Sequence, residues 1–179
     1  PTQRVSVPPN ATANFTILSA PVSVTLTPAS KTTLTISDTQ GLLTDIEWPA
    51  ESVNLTTTLR LTPTLAANEA NFAFAAHAFE LMAYQNGQEM PDFTFNTPFT
   101  ITQRYSEADV RLISHENQNQ LALWWQQDDS WQDATQSCDT PTAYQRDISN
   151  KQISVPICRI GRLALFGPSH QLFLPLLLR

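Results

Sequence analysis

The sequence predicts an all-β protein: an antiparallel β-sandwich of about a dozen short strands, closed by one disulfide. Three observations lead there. Apolar residues alternate with threonine and serine at period two along most of the chain, as in strands with one buried face. Prolines number 13 against 4 glycines and interrupt the apolar runs at short intervals, which favours many strands over long helices. Cys138 and Cys158 are the only cysteines, and a pair suits one bridge. The alternative is two unrelated buried thiols.

The elements follow in order. Val5 and Val7 alternate with polar residues until Pro8-Pro9-Asn10 interrupts, and Phe15 and Ile17 come before Pro21. Val22, Val24 and Leu26 keep period two up to Pro28, and Leu34 and Ile36 repeat it. After Gly41 come Ile46, Trp48 and Pro49, then Leu55, Leu59 and Leu61 before Pro63. Between Asn71 and Tyr84, Phe72, Phe74, Ala76 and Ala78 share one parity, and Leu81 and Ala83 share the other. The slip falls near Phe79, so the stretch is one long strand with a bulge, or two strands. Asn86-Gly87 is a hairpin turn.

Phe93, Phe95, Phe99 and Ile101 resume the pattern, with Pro98 marking an edge or a bulge. Ser106 to Asp109 is a short helical turn with Ser106 as its cap. Leu121, Leu123 and Trp125 form a strand that Asp128-Asp129-Ser130 turns back towards Trp131. Ile153, Val155 and Ile157 lead into Cys158, and Leu163 and Leu165 precede Gly167-Pro168. No internal repeat of solenoid or propeller length is present. The chain therefore divides into an N-terminal strand segment, 1–30, a sandwich core, 31–167, and an apolar C-terminal strand, 168–179, in one domain overall. The first segment either packs on the domain or is donated from it.

Composition excludes several function classes. A chain of 179 residues with 41% hydrophobic and 15% charged residues can bury one good core and is not disordered. The net charge of −6 comes from scattered acids, and Lys31 and Lys151 are the only lysines. A nucleic-acid surface or an anionic membrane surface needs clustered Lys and Arg, so neither partner is expected. No apolar stretch reaches the roughly 18–20 residues of a spanning helix. A start at Pro1, without an initiator Met, suits a processed, secreted chain. A disulfide would imply an oxidising compartment, so the expected location is extracellular, at the cell surface.

Catalytic patterns are sparse. Asp128, Asp129 and Asp133 lie close together, but without calcium-loop spacing they read as solvated turn residues. No nucleophile elbow, phosphate loop or HExxH motif occurs. His77, His115 and His170 are too widely spaced to suggest a zinc set. No enzymatic activity, metal or cofactor is expected.

Two features point to binding. Adjacent Trp124 and Trp125 must leave a strand on opposite faces, so only one belongs to the core. The other, with Trp131, is a candidate contact for a glycan or a partner. Leu172, Phe173, Leu174, Pro175, Leu176, Leu177 and Leu178 form a segment apolar on both faces. Left free it would aggregate, so it either fills its own sandwich or is donated to a neighbouring subunit as a strand. Burying five such side chains contributes roughly 7–15 kcal/mol before entropic costs. Val5 and Val7 are a second possible donor.

A family likeness adds to this. The residues that carry it are Gly41 through Ala50, Thr57 through Pro63, Asn86-Gly87, Phe99-Thr100-Ile101 with Tyr105, Leu121 through Trp125, Trp131, and Leu163 through Gly167. From Leu34 onward these resemble secreted bacterial relatives of the β-sandwich domain found in zonula occludens proteins, ankyrins and netrin receptors. The resemblance implies a binding or structural module without a cofactor. Some relatives cleave their own backbone at a His-Phe-Ser sequence before the strand matched by Leu163 to Phe166. Arg159-Ile160-Gly161 stands there in this chain and lacks both hydroxyl and imidazole, so that activity is not expected.

The leading expectation is a non-enzymatic extracellular structural or cell-surface module. It would associate with itself or with other surface proteins, assembling into a filament by terminal strand donation. The alternative is a carbohydrate-binding module using Trp124 or Trp131.

Overall fold

Threonine-spaced apolar residues become two facing layers. The computed structural model describes residues 20–38, 41–66, 72–112, 119–127 and 130–168. The strands are β1 (Val22–Leu26), β2 (Thr32–Ser37), β3 (Leu43–Trp48), β4 (Thr57–Thr64), β5 (Phe72–Gln85) and β6 (Gln88–Glu89). They continue with β7 (Thr94–Arg104), β8 (Ala122–Gln127), β9 (Ser130–Asp133), β10 (Gln145–Asp147), β11 (Gln152–Arg159) and β12 (Gly161–Pro168). One sheet runs β1-β4-β5-β12-β8-β9, with β6 beside β5, and the other runs β10-β11-β7-β3-β2. Every pairing among them is antiparallel. The fold is the two-layered all-β architecture that the alternation predicts.

The core lies between the sheets. Leu59, Leu61, Phe79, Leu81, Ala83, Leu123, Trp125 and Leu163 from the first sheet meet Ile46, Trp48, Phe99, Ile101, Val155 and Ile157 from the second. Each such burial contributes about 1.5–3 kcal/mol to holding the two sheets together. Trp48 and Phe99 stack at 5.6 Å between centroids and fix the centre of the second sheet. Leu55, grouped in sequence with Leu59 and Leu61, instead precedes β4 and is 58% exposed.

Prolines and slips fall where the ladders permit them. Pro98 lies where the register between β7 and β11 jumps, from Phe99 opposite Ile157 to Thr94 opposite Arg159. A bulge there relieves the need for a proline N–H. Pro63 lies on β4 beyond Leu61, the last residue that β1 covers. Pro156 lies on β11 beyond Ser154, the last residue that β10 covers. β5 is one strand, and its irregularity against β12 falls between Ala78 and Phe74, just before the slip expected at Phe79.

The β5–β6 turn is Asn86-Gly87, with φ of 51° and 79°, the positive pair that a tight hairpin requires. The helix α1 (Glu107–Leu112) begins with a reciprocal cap: Asp109 N–H donates to Ser106 Oγ, and Ser106 N–H donates to Asp109 Oδ2. α1 brings Val110 against Ala75, Tyr105 and Leu165, a second small core at one end of the sandwich.

β11 and β12 belong to different sheets, yet Ile160 alone separates them. The reversal uses Gly161 at φ 137°. A Cβ there would stand 2.8 Å from Nε1 of Trp125. That indole N–H instead donates 3.0 Å to the Ile160 carbonyl and so satisfies the corner from inside.

Candidate interaction surfaces

A two-sheet sandwich has two flanks, and each flank carries one edge strand from each sheet. On one flank the edges are β9 and β10. After β9, Asp133 caps a turn of 3-10 helix, Ala134–Gln136, accepting from Thr135 N–H at 2.9 Å and Thr135 Oγ1 at 2.7 Å. Cys138 follows and forms the disulfide to Cys158 on β11, with Cα atoms 5.0 Å apart. Ser137 Oγ accepts the Cys158 N–H at 3.2 Å, and Thr142 Oγ1 donates to the Pro156 carbonyl at 2.7 Å. The expected cysteine pair is thus formed, and it ties the loop that leads out of β9 to β11 in the other sheet.

Tyr144 and Arg146 complete that closure. The Tyr144 hydroxyl lies 2.8 Å from both the Leu123 carbonyl on β8 and Asp133 Oδ1, and its single proton serves these two acceptors. Burial, then the neighbouring Asp133 carboxylate, push the Tyr144 phenol well above the ordinary tyrosine range. Arg146 stacks over the Tyr144 ring at 4.4 Å and donates to the carbonyls of Asn119 and Leu121, at 2.9 and 2.7 Å. At the β10–β11 turn, donation from Ser149 and Asn150 lowers the Asp147 carboxyl to about 2. Burial also raises the Tyr105 phenol, against the pull of Arg146 and Lys151.

The opposite flank carries β1 and β2, which Thr27–Lys31 joins. Neither strand contains a charge or a proline. Val22, Val24, Leu34 and Ile36 pack on the core but stay half-buried, while Ser23, Thr25, Thr33, Thr35 and Ser37 are exposed. Their partners on the next strands are closed off: Leu61 lies opposite Val22 and Leu59 opposite Val24, at 0% and 1% exposure. Among the described residues no strand lies beyond β1 or β2. An ion pair of Lys31 with Glu47, at 2.8 Å, is exposed at one end of β2.

The two candidate tryptophans meet on the outer face of the first sheet. Trp125 is 5% exposed and belongs to the core, while Trp124 leaves β8 on the other side, half-buried. Trp131 on β9 lies beside it, opposite Gln126 in register. Its ring meets Phe166 edge-on at 5.0 Å, in a cluster with Ala78 and Ala164. The Arg162 guanidinium lies 6.0 Å over the Trp131 ring and donates to the Leu65 carbonyl.

Chemistry for turnover is thin among the described residues. A cleft of about 230 Å³ at the β11–β12 corner is lined by Asp92, Thr94, Gln126, Gln127 and Arg159. It is smaller than the roughly 300 Å³ at which small-molecule sites begin. Among the described residues no three His, Cys, Asp or Glu side chains gather as metal ligands. Asp133 serves as a cap, and His77 is on β5; Asp128, Asp129, His115 and His170 lie outside the described residues. No described helix is long and apolar enough to cross a membrane.

Of the interaction residues expected from sequence, the structure joins Cys138 to Cys158 and places Trp124 beside Trp131. Val5, Val7, Leu172, Phe173, Leu174, Leu176, Leu177 and Leu178 lie outside the described residues. Tyr144, Arg146 and the uncharged, proline-free edge strands β1 and β2 went unnoticed in the sequence. The freedom of Val22–Leu26 and Thr32–Ser37 from charge and proline was the available signal. No family model matches the chain, and no curated protein matches it either.

Proposed function

We propose that this chain is a non-enzymatic structural or cell-surface module of the extracellular space, acting by association with further copies of itself or with other surface proteins. The observation that carries the reading is the inequality of the flanks. Soluble sheet proteins blunt their edges with charges, prolines, short strands or covering loops, because a bare edge pairs with any available strand. β9 and β10 follow that rule. β1 and β2, five and six residues long, carry no charge or proline, and among the described residues no strand covers them. The disulfide suits an oxidising exterior, and the resemblance to the zonula occludens, ankyrin and netrin-receptor type of domain favours a binding role.

Sedimentation and electron microscopy of the full chain over a wide concentration range test this. Concentration-dependent oligomers or filaments are expected, and a monomer at every concentration would count against the reading. A second reading has its own observation, the convergence of Trp124 and Trp131 on one sheet face beside Arg162. Aromatic rings of this kind stack on sugar rings. Glycan-array binding lost in both Trp124→Ala and Trp131→Ala, with the fold intact, would support a carbohydrate-binding role.

A further inference from the structure

We infer that the β1 edge is a strand acceptor, and that its occupant is the segment Leu172–Leu178 of a second copy. The inference rests on the self-association proposed above and names its two surfaces. In the acceptor, β1 offers an uncharged backbone edge beside the half-buried strip of Val22, Val24, Leu34 and Ile36. Lys31 and Asp38 bracket β2, whereas Pro21 and Thr27 bracket β1, so neither β1 nor the residue on each side of it in sequence carries a charge.

The sequence of the donor fits an added edge strand. In any strand, alternate residues turn both their side chains and their backbone N–H groups to opposite sides. Leu172, Leu174, Leu176 and Leu178 share one parity; Phe173, Pro175 and Leu177 share the other. When the leucine parity makes the ladder with β1, Pro175 falls on the solvent edge, where a missing N–H leaves nothing unpaired. The same register sends all four leucines to a single face. Turned between the sheets, that face covers the half-buried strip.

Topology selects a second copy as the source. β12 ends at Pro168, and β5, β4 and β1 lie between it and the outer side of β1, where no described strand lies. That is four strand spacings, about 19 Å. The chain from Pro168 to Leu172 spans at most about 14 Å. Leu172 therefore cannot reach the slot of its own molecule, so the register that seats all four leucines requires a second copy, and each copy would donate forward to the next.

Two full-length variants separate donor from acceptor. Val24→Lys turns a charge into the strip, so that chain donates but does not accept. The double variant Leu174→Asp with Leu176→Asp accepts but does not donate. Each alone should sediment as a monomer, and the mixture should form a one-to-one heterodimer. A mixture that stays monomeric while the unsubstituted chain assembles overturns the strand exchange and leaves self-association standing. An unsubstituted chain that never assembles overturns both.

Hydrogen exchange on the unsubstituted chain guards against misfolding of Val24→Lys. Exchange within Val22–Leu26 should slow roughly tenfold or more as concentration rises, while Gln145–Asp147 stays unchanged. Slowing at Thr32–Ser37 instead overturns the inference. So does protection of β1 that is equal at all concentrations, the result expected if the chain's own N-terminal segment occupies that edge.

Discussion

The flank bearing β9 and β10 and the flank bearing β1 and β2 solve the same problem in opposite ways. On the first, the last strands are short, and a disulfide, a half-buried phenol and an arginine tie the chain between β9 and β11 to both sheets. On the second, the last described strands are longer and contain no charge, proline or cysteine. The lesson concerns where stability is placed. Cross-links are concentrated on one side, while the other side keeps a regular ladder beyond whose last row no described strand lies.

That division makes graded predictions. The largest effect is expected from Cys138→Ser with Cys158→Ser. Removing a crosslink over a loop of this length should lower the unfolding free energy by about 3 kcal/mol, read from urea titrations. A loss below about 1 kcal/mol would mean that the clasp is dispensable and the two flanks are alike in this respect. Next is Tyr144→Phe, which leaves the Leu123 carbonyl and Asp133 without their shared donor. A cost of about 1–2 kcal/mol is expected, again by urea unfolding.

The same phenol sharpens the comparison through pH. Its folded pKa lies above the unfolded value of about 10, so its contribution is complete below pH ~10 and is lost as pH rises beyond it. Alkaline stability curves should therefore fall more steeply for the unsubstituted chain than for Tyr144→Phe. Parallel curves would remove Tyr144 from the closure. The smallest effect belongs to the open flank. Thr33 on β2 is exposed and lies opposite Glu47, so Thr33→Lys should shift the thermal midpoint little, within about 0.5 kcal/mol. A large loss there would show that the β2 edge already has an essential contact.

Much of the fold was legible because strands announce themselves locally. Adjacent Trp124 and Trp125 had to part to opposite faces, and they do. Pro98 required an interruption of pairing and sits in a bulge. Ser106 and Asp109 were spaced to cap a turn and do so reciprocally. What stayed hidden is whatever depends on a neighbour distant in sequence. Val22 and Val24 alternate just as Leu59 and Leu61 do, yet one pair ends a sheet and the other lies inside it. Local periodicity reports which side of a strand is apolar; it carries no information on whether another strand lies alongside. For the same reason Tyr144 gave no sign of its role, since its acceptors belong to the segment 123–133 and meet it only through the fold. The slip in β5 was displaced by a few residues because either parity of an alanine-rich run looks equally apolar.

The passage from β11 to β12 has a mechanical corollary. With one residue spanning the two layers, there is no slack to let them slide, and each layer inherits the other's position. Registers on both sides must then be adopted together, so unfolding should be all-or-none with no half-formed layer. Tension on any array built from such units would be carried between layers through a joint one residue long. Natural variation in length should avoid that joint and gather in the turns instead.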